Sequence, residues 1–182
     1  KKKVLLIDGD LRHGSTSMLI HSPGEGLSDY LNGRIADIHD ILYKGEENGL
    51  VKNFDVIPIG TIPPNPTELL FTPLLEQMIK TMREEYDYVF IDCPPIEVVA
   101  DTPIYEQFAD RTIFVVRAGL MERSMLPEVN ALYKEKKFKN MTLILTEPRH
   151  KVADMPATTA MVTAMVMAIT IIRKRMGGQN LK

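Results

Sequence analysis

The sequence predicts an α/β domain, a parallel β-sheet with helices on both faces, and three observations carry the prediction. The runs VLLI (4–7), YVFI (88–91) and TIFVV (112–116) are apolar without polar alternation, the pattern of strands buried on both faces. Stretches of helical periodicity separate them, which makes parallel strands joined by right-handed crossovers the natural topology. The first two runs stop abruptly at carboxylates, Asp8 and Asp10 in one case and Asp92 in the other. In an open parallel sheet the crevice outside the carboxyl ends of the strands is where ligands sit.

Lys1, Lys2 and Lys3 lead straight into the first strand. The polar segment 13–17 (HGSTS) can cap a short helix through Met18 and Ile20, and 22–26 (SPGEG) breaks it. Residues 26–33 (GLSDYLNG) predict a short helix capped by Ser28 and stopped by Gly33, followed by a second short segment at 35–43. Residues 54–60 (FDVIPIG) read as a strand ending at a glycine, with Pro58 unable to donate to a ladder. Three of the four residues 63–66 are proline, so the loop 60–70 (GTIPPNPTELL) is extended and stiff, and Thr67 can cap a turn starting at Glu68. Pro73 opens a helix through Glu85 with Leu74, Leu75, Met78, Ile79 and Met82 on one face. Beyond Asp92 the pattern predicts a helix near 102–109, a buried strand over 111–117 and a long amphipathic helix over 122–139. The lysines of that helix, Lys134, Lys136, Lys137 and Lys139, form a solvated face, and 141–145 is the last strand.

With 182 residues, 45% hydrophobic and 25% charged, the chain has the composition of one ordinary globular domain. A formal net charge of −2 gives no global attraction to nucleic acid, and no nucleic-acid partner is expected. The single Cys93 excludes an internal disulfide, and no secretory signal opens the chain, so a reducing cytoplasm is the expected compartment. Cys93 stands beside Asp92 without the positive surroundings that activate a thiol, and is read as structural. His13, His21, His39 and His150 lack zinc-ligand spacing.

Asp8, Asp10 and Asp92 delivered to one sheet edge would form a cluster of hard oxygen ligands suited to Mg²⁺ and a nucleotide phosphate. Aspartate at a strand end also forms turns and caps helices, so each alone has a structural reading; the recurrence at two strand ends favours the ligand reading.

VLLIDGDLR (4–12) resembles the second Walker A-type motif, and YVFIDCPP (88–95) the Walker B motif, of the bacterial tyrosine autokinases of capsular and exopolysaccharide biosynthesis. Both motifs also fit the related partitioning and septum-placement ATPases. GTIPPNPTELL discriminates, being similar to the proline-rich loop of the tyrosine kinases, and with FADRTIFVVRAG (108–119) the resemblance runs from residue 1 to about 145. It implies a P-loop NTPase architecture of the deviant-Walker, partitioning-ATPase-like kind, with ATP and Mg²⁺ as cofactors. By the same resemblance Asp8 orients or deprotonates the attacking tyrosine hydroxyl, Asp10 holds metal and geometry, Asp92 binds Mg²⁺ directly or through water, and Arg12 and Arg117 join Asp92 in binding the nucleotide. Phosphoryl transfer needs positioning and charge neutralisation more than covalent chemistry, so such residues suit it. The implied substrate is a tyrosine-rich tail of a neighbouring subunit, phosphorylated in trans within a homo-oligomeric ring. The other implied partner is a polysaccharide copolymerase membrane domain, which places the protein in the cytoplasm against the inner membrane. Each phosphate would add about −1.5 to −2 charges and loosen such a ring by repulsion.

The sequence departs from the family pattern twice. The phosphate-cradling G-x-x-x-x-G-K-[ST] string lies upstream of the second Walker motif in the family and occurs nowhere in the 182 residues. Without its amides and lysine, ATP affinity should collapse, so the expectation is an inactive, N-terminally truncated fragment. On this reading 1–147 is a partial kinase domain and 148–182 an aberrant tail. The family's tyrosine-glycine cluster is absent, with no tyrosine after Tyr133; residues 155–172 are apolar and threonine-rich instead, followed by the basic 173–175. Three readings of this tail stand open. One is a membrane span of marginal length and weak apolarity, and another is a packed helix, which the β-branched content disfavours. The third is a shifted reading frame, since pairs such as Ala164-Met165 and Val166-Met167 can conceal tyrosine codons one frame over. Two further function classes accompany the kinase reading: a non-catalytic docking module of the polysaccharide export machinery, and a partitioning-type ATPase using the same aspartates to activate water.

Overall fold

The computed structural model describes residues 1–21, 24–94, 102–117, 123–146 and 167–174. They divide into two compact units, Lys1–Ile91 with Ile171–Lys182, and Asp92–Thr170.

The first unit contains, in order, β1 (Val4–Asp8), α1 (Ser15–Leu19), α2 (Leu27–Leu31), a 3-10 turn (Ile38–Ile41), β2 (Phe54–Ile57), α3 (Pro66–Leu70), α4 (Pro73–Glu85) and all but the last residue of β3 (Tyr88–Asp92). β1 lies between β2 and β3, and pairs with β2 in parallel with Val4 opposite Phe54 and Ile7 opposite Ile57. The unalternated run does not bury both faces of β1 equally: Leu5 and Ile7, on one face, are fully buried, whereas Val4 and Leu6, on the other, are half-buried. β2 stops at Ile57, short of the predicted 54–60, because Pro58 has no N–H with which to extend a ladder. α4 spans the predicted residues, with Pro73 at its first position and Leu75, Met78, Ile79 and Met82 buried. Leu74, assigned to the same face, is half-buried. After α4 the chain buries Tyr86, whose hydroxyl donates to Asp55 Oδ2 at 2.8 Å, while Asp55 Oδ1 accepts the Gly45 N–H at 3.1 Å. Burial, then the Asp55 bond, pushes the Tyr86 phenol well above its ordinary pKa. α2 begins at Leu27 with Gly26 as its cap rather than Ser28, and Ser28 is buried inside its first turn.

The second unit contains α5 (Thr102–Glu106), β4 (Arg111–Arg117), a 3-10 turn (Arg123–Met125), α6 (Leu126–Lys134), β5 (Thr142–Thr146) and the start of β6 (Met167–Arg173). β4 and β5 pair in parallel, from Ile113 opposite Thr142 to Arg117 opposite Thr146. Phe114 and Phe138 meet edge to face at 5.0 Å between centroids, with Val116 buried beside them and Leu132 and Met141 packed around. The buried Glu106 carboxylate ties the unit's segments together, accepting from the Thr112 hydroxyl and from the Lys139 N–H. The predicted helix over 122–139 is much shorter: Lys136 adopts a left-handed conformation, φ 52°, which ends it. Lys134, Lys136, Lys137 and Lys139 are exposed, as predicted.

β5 is not the last strand. Within the tail, residues 167–173 form β6, and the β-branched Ile169, Thr170, Ile171 and Ile172 fit a pleated strand better than a helix. In the first unit Ile172 is fully buried, the Lys174 N–H donates to Asp87 O at 3.2 Å, and the Arg173 guanidinium lies 5.6 Å from the Tyr88 ring centroid. In the second unit Thr170 is buried with its hydroxyl 3.7 Å from Cys93 Sγ. Most of the stretch on which the three tail readings rest, 155–166, lies outside the described residues. Among the described residues no helix is long and apolar enough to cross a membrane.

Candidate functional site

The site is built where β1 ends. Asp8, its last residue, is fully buried and takes three hydrogen bonds. Oδ2 accepts the Ser17 N–H at 2.8 Å and the Ser17 hydroxyl at 2.7 Å, and Oδ1 accepts the Asp10 N–H at 3.3 Å. Burial raises the Asp8 carboxyl above its usual value, and the Ser17 bonds pull it back. Asp10 stands in the turn that follows. Its Oδ1 accepts the N–H groups of Arg12 and His13 at 3.1 and 3.3 Å, and its Oδ2 lies 3.0 Å from His13 Nδ1. Asp10 is thus a turn former in fact, as its residue type allows, and its carboxylate is almost wholly buried beside Asp8.

The proline-rich stretch is fastened to this corner. Leu27 and Ser28 donate their N–H groups to Pro58 O and Ile59 O at 2.8 and 2.9 Å, and the Ser28 hydroxyl donates to Thr61 O. Asp29, fully buried, accepts from the N–H groups of Gly26 (3.0 Å) and Thr61 (3.1 Å) on one oxygen and pairs with Arg34 at 2.8 Å on the other, so its charge is compensated. Between α2 and the loop there is no room for a side chain at residue 60, where φ is +75° and a Cβ would overlap Asp29 Oδ2 and the Gly26 backbone. Ile59 donates its N–H to the Ser17 hydroxyl at 2.8 Å, and the Arg12 guanidinium donates to Thr67 Oγ1 at 2.7 Å. Thr67 therefore does not cap a turn at Glu68. α3 starts one residue before it, with Asn65 at the cap and Pro66 first, and its hydroxyl braces Arg12.

Of the predicted site residues, Asp8, Asp10 and Arg12 share this corner of the first unit. Asp92 closes β3 and opens the second unit, where it stands half-buried. Arg117 ends β4 opposite Thr146, and its side chain lies outside the described ones. Sequence reasoning missed Ser17 and Asp29. Ser17 was visible only as one of several small polar residues, and Asp29 as one acid on a short helix; what marks them is a partner 42 residues away for Ser17 and 32 away for Asp29. Among the described residues no Lys or Arg side chain bonds to Asp8 or Asp10; the basic side chain facing Asp10 is His13, 3.0 Å from its Oδ2. Mg²⁺ takes one or two carboxylates together with waters and phosphate oxygens, and this donor set fits it in kind. No group of three or more His, Cys, Asp or Glu placed to hold a metal occurs among the described residues.

The fold and this strand-end carboxylate pair define a class, the α/β P-loop NTPases. The septum site-determining protein MinD of Pyrococcus horikoshii, solved with Mg-ADP, superposes with a TM-score of 0.58 at 23% identity over 90% of this chain and 65% of that one, a likeness of fold alone. The kinase domain of the Escherichia coli tyrosine kinase ETK superposes at 0.70 with 29% identity, over 85% of this chain and 59% of that one. In sequence, the tyrosine-protein kinase CpsD of Streptococcus agalactiae is 35% identical over 153 residues, 83% of this chain and 64% of CpsD. The relatives of this chain in sequence and structure are bacterial tyrosine kinases. The chain spans 64% of CpsD and 16–17% of several longer relatives. No family model matches the chain.

Proposed function

We propose that this chain carries the carboxylate half of an ATP- and Mg²⁺-dependent protein tyrosine kinase that regulates capsular or exopolysaccharide chain length and export. The observation that carries the reading is the likeness to CpsD over four-fifths of the chain, together with the buried pair Asp8 and Asp10 at the end of β1. Bound Mg²⁺-ATP would supply the phosphoryl group and the neutralisation of its charge. Asp8, whose Oδ2 is committed to Ser17, offers Oδ1 to orient the tyrosine hydroxyl and take its proton. Asp10 and Asp92 are the metal carboxylates, Asp92 by its place in the Walker B-like string. Arg12 steadies the proline-rich loop through Thr67 and, with Arg117, is assigned to the nucleotide. The proposed partners are further copies of the kinase and a polysaccharide copolymerase membrane domain, with the protein at the cytoplasmic face of the membrane.

Calorimetric titration with Mg²⁺-ATP and Mg²⁺-ADP, with Asp10→Ala and Asp92→Ala as controls, tests the site. Because the phosphate-cradling string is absent from these 182 residues, no binding at millimolar nucleotide is expected of them, and micromolar binding lost in both variants would overturn that expectation. Where phosphate is transferred, label on tyrosine supports the kinase, and label appearing only as free phosphate would replace it with a water-activating ATPase.

A further inference from the structure

Ser17 belongs to none of the motifs above, yet its hydroxyl bonds both Asp8 and Ile59, the residue that leads into the proline-rich loop. A serine hydroxyl has one proton and two lone pairs. Here the proton goes to Asp8 Oδ2 at 2.7 Å and a lone pair accepts the Ile59 N–H at 2.8 Å, while the Ser17 N–H also donates to Oδ2 at 2.8 Å. We propose that Ser17 is a positioning residue, which locks the rotamer of Asp8 and couples it to the start of the proline-rich loop, so that the placement of that loop is felt at the carboxylate. The inference rests on the kinase reading only for the statement that Asp8 meets the substrate.

Three features of the structure support the coupling. Both bonds to Oδ2 come from Ser17, so the buried Asp8 carboxylate keeps this orientation, with Oδ1 toward the Asp10 N–H, only while Ser17 is in place. Ile59 is held where the loop begins: its carbonyl accepts Ser28 N–H at 2.9 Å and the preceding Pro58 carbonyl accepts Leu27 N–H at 2.8 Å, so its amide cannot shift without disturbing either α2 or Ser17. Nor is the hydroxyl spent on its own helix, since α1 is capped by Gly14, in a left-handed conformation and without a side-chain cap bond.

The test compares Ser17→Ala, Ser17→Cys and Ser17→Thr in the full 182-residue chain. Cysteine keeps the size with a feeble hydrogen-bonding group, and threonine keeps the hydroxyl. Hydrogen exchange at the Ile59 amide should accelerate about tenfold in the Ala and Cys variants, the value of one lost hydrogen bond, with α4 amides unchanged, and threonine should restore it. In a phosphate-transfer assay the same two variants should lose at least tenfold in kcat with KM for ATP within twofold, again rescued by threonine. Unchanged Ile59 exchange in the Cys variant, or a Thr variant as impaired as Ala, overturns the coupling. If Ala does not fold, the Cys and Thr variants decide the question alone. If the wild-type chain transfers no phosphate, as the missing phosphate-cradling string leads one to expect, the exchange pattern decides the coupling.

Discussion

Replacing Gly60 by alanine should cost this protein far more than a single methyl group suggests. The residue has φ +75°, a left-handed conformation that costs an L-residue about 1–2 kcal/mol. The added Cβ would also overlap Asp29 Oδ2 and approach Gly26 Cα to 2.8 Å. That oxygen cannot retreat freely, because it holds the Gly26 and Thr61 N–H groups, and its carboxylate is buried. Overpacking of this kind typically costs about 1–3 kcal/mol, so the total for Gly60→Ala is about 2–5 kcal/mol. Gly33 provides the control. Its φ is +79°, but nothing lies within 4 Å of where its Cβ would be, so Gly33→Ala should cost only the conformational part, about 1–2 kcal/mol. Urea denaturation of both variants beside the wild type measures the two costs, with unchanged m-values showing that only stability has moved. A Gly60→Ala variant within about 0.5 kcal/mol of Gly33→Ala would show that α2 and the proline-rich loop are not held together as described.

Tyr86→Phe should destabilise by about 1–3 kcal/mol, measured by denaturant midpoint, because it strips the buried Asp55 Oδ2 of its donor; a neutral result would mean that water replaces the phenol. His39 has Asp37 Oδ1 2.6 Å from Nδ1 and Glu85 Oε1 2.9 Å from Nε2, an arrangement that suits the imidazolium. The Glu85 bond, then the Asp37 bond, raises its pKa in the folded state. Its contribution is therefore complete below the unfolded value of about 6.5 and lost as pH rises through the higher folded value. An NMR titration of His39 should show that elevation, and the corresponding pH dependence of stability should vanish in His39→Gln. Because the ring and its partners are largely exposed, added salt should weaken the effect. Cys93 is fully buried, and its pKa is pushed up to about 12. A thiol reagent at pH 8 should label it only as fast as the protein opens, and rapid labelling of the native chain would contradict its placement.

The local features of the sequence determined the central elements. β1, β3 and β4 follow from apolar runs without alternation, and α4 from an apolar stripe behind Pro73, because a strand with one face buried and the other half-buried, or a helix with one buried stripe, dictates residue type position by position. The candidate carboxylates were legible for the same reason: an acid at the end of a buried strand breaks the pattern. Where the reading failed, the deciding partner was distant. Residues 167–173 looked like part of an anomalous tail, and only packing on chain far upstream, Ile172 buried and Lys174 bonded to Asp87, makes them a strand. Thr67 and Ser28 looked like helix caps because their hydroxyls suit caps, yet the folded chain offered them Arg12 and Thr61 instead. Ser17 carries no local signature of its role. A short polar side chain bonds whichever group the fold brings within 3 Å of it, and for these residues only the tertiary structure decided which group that was.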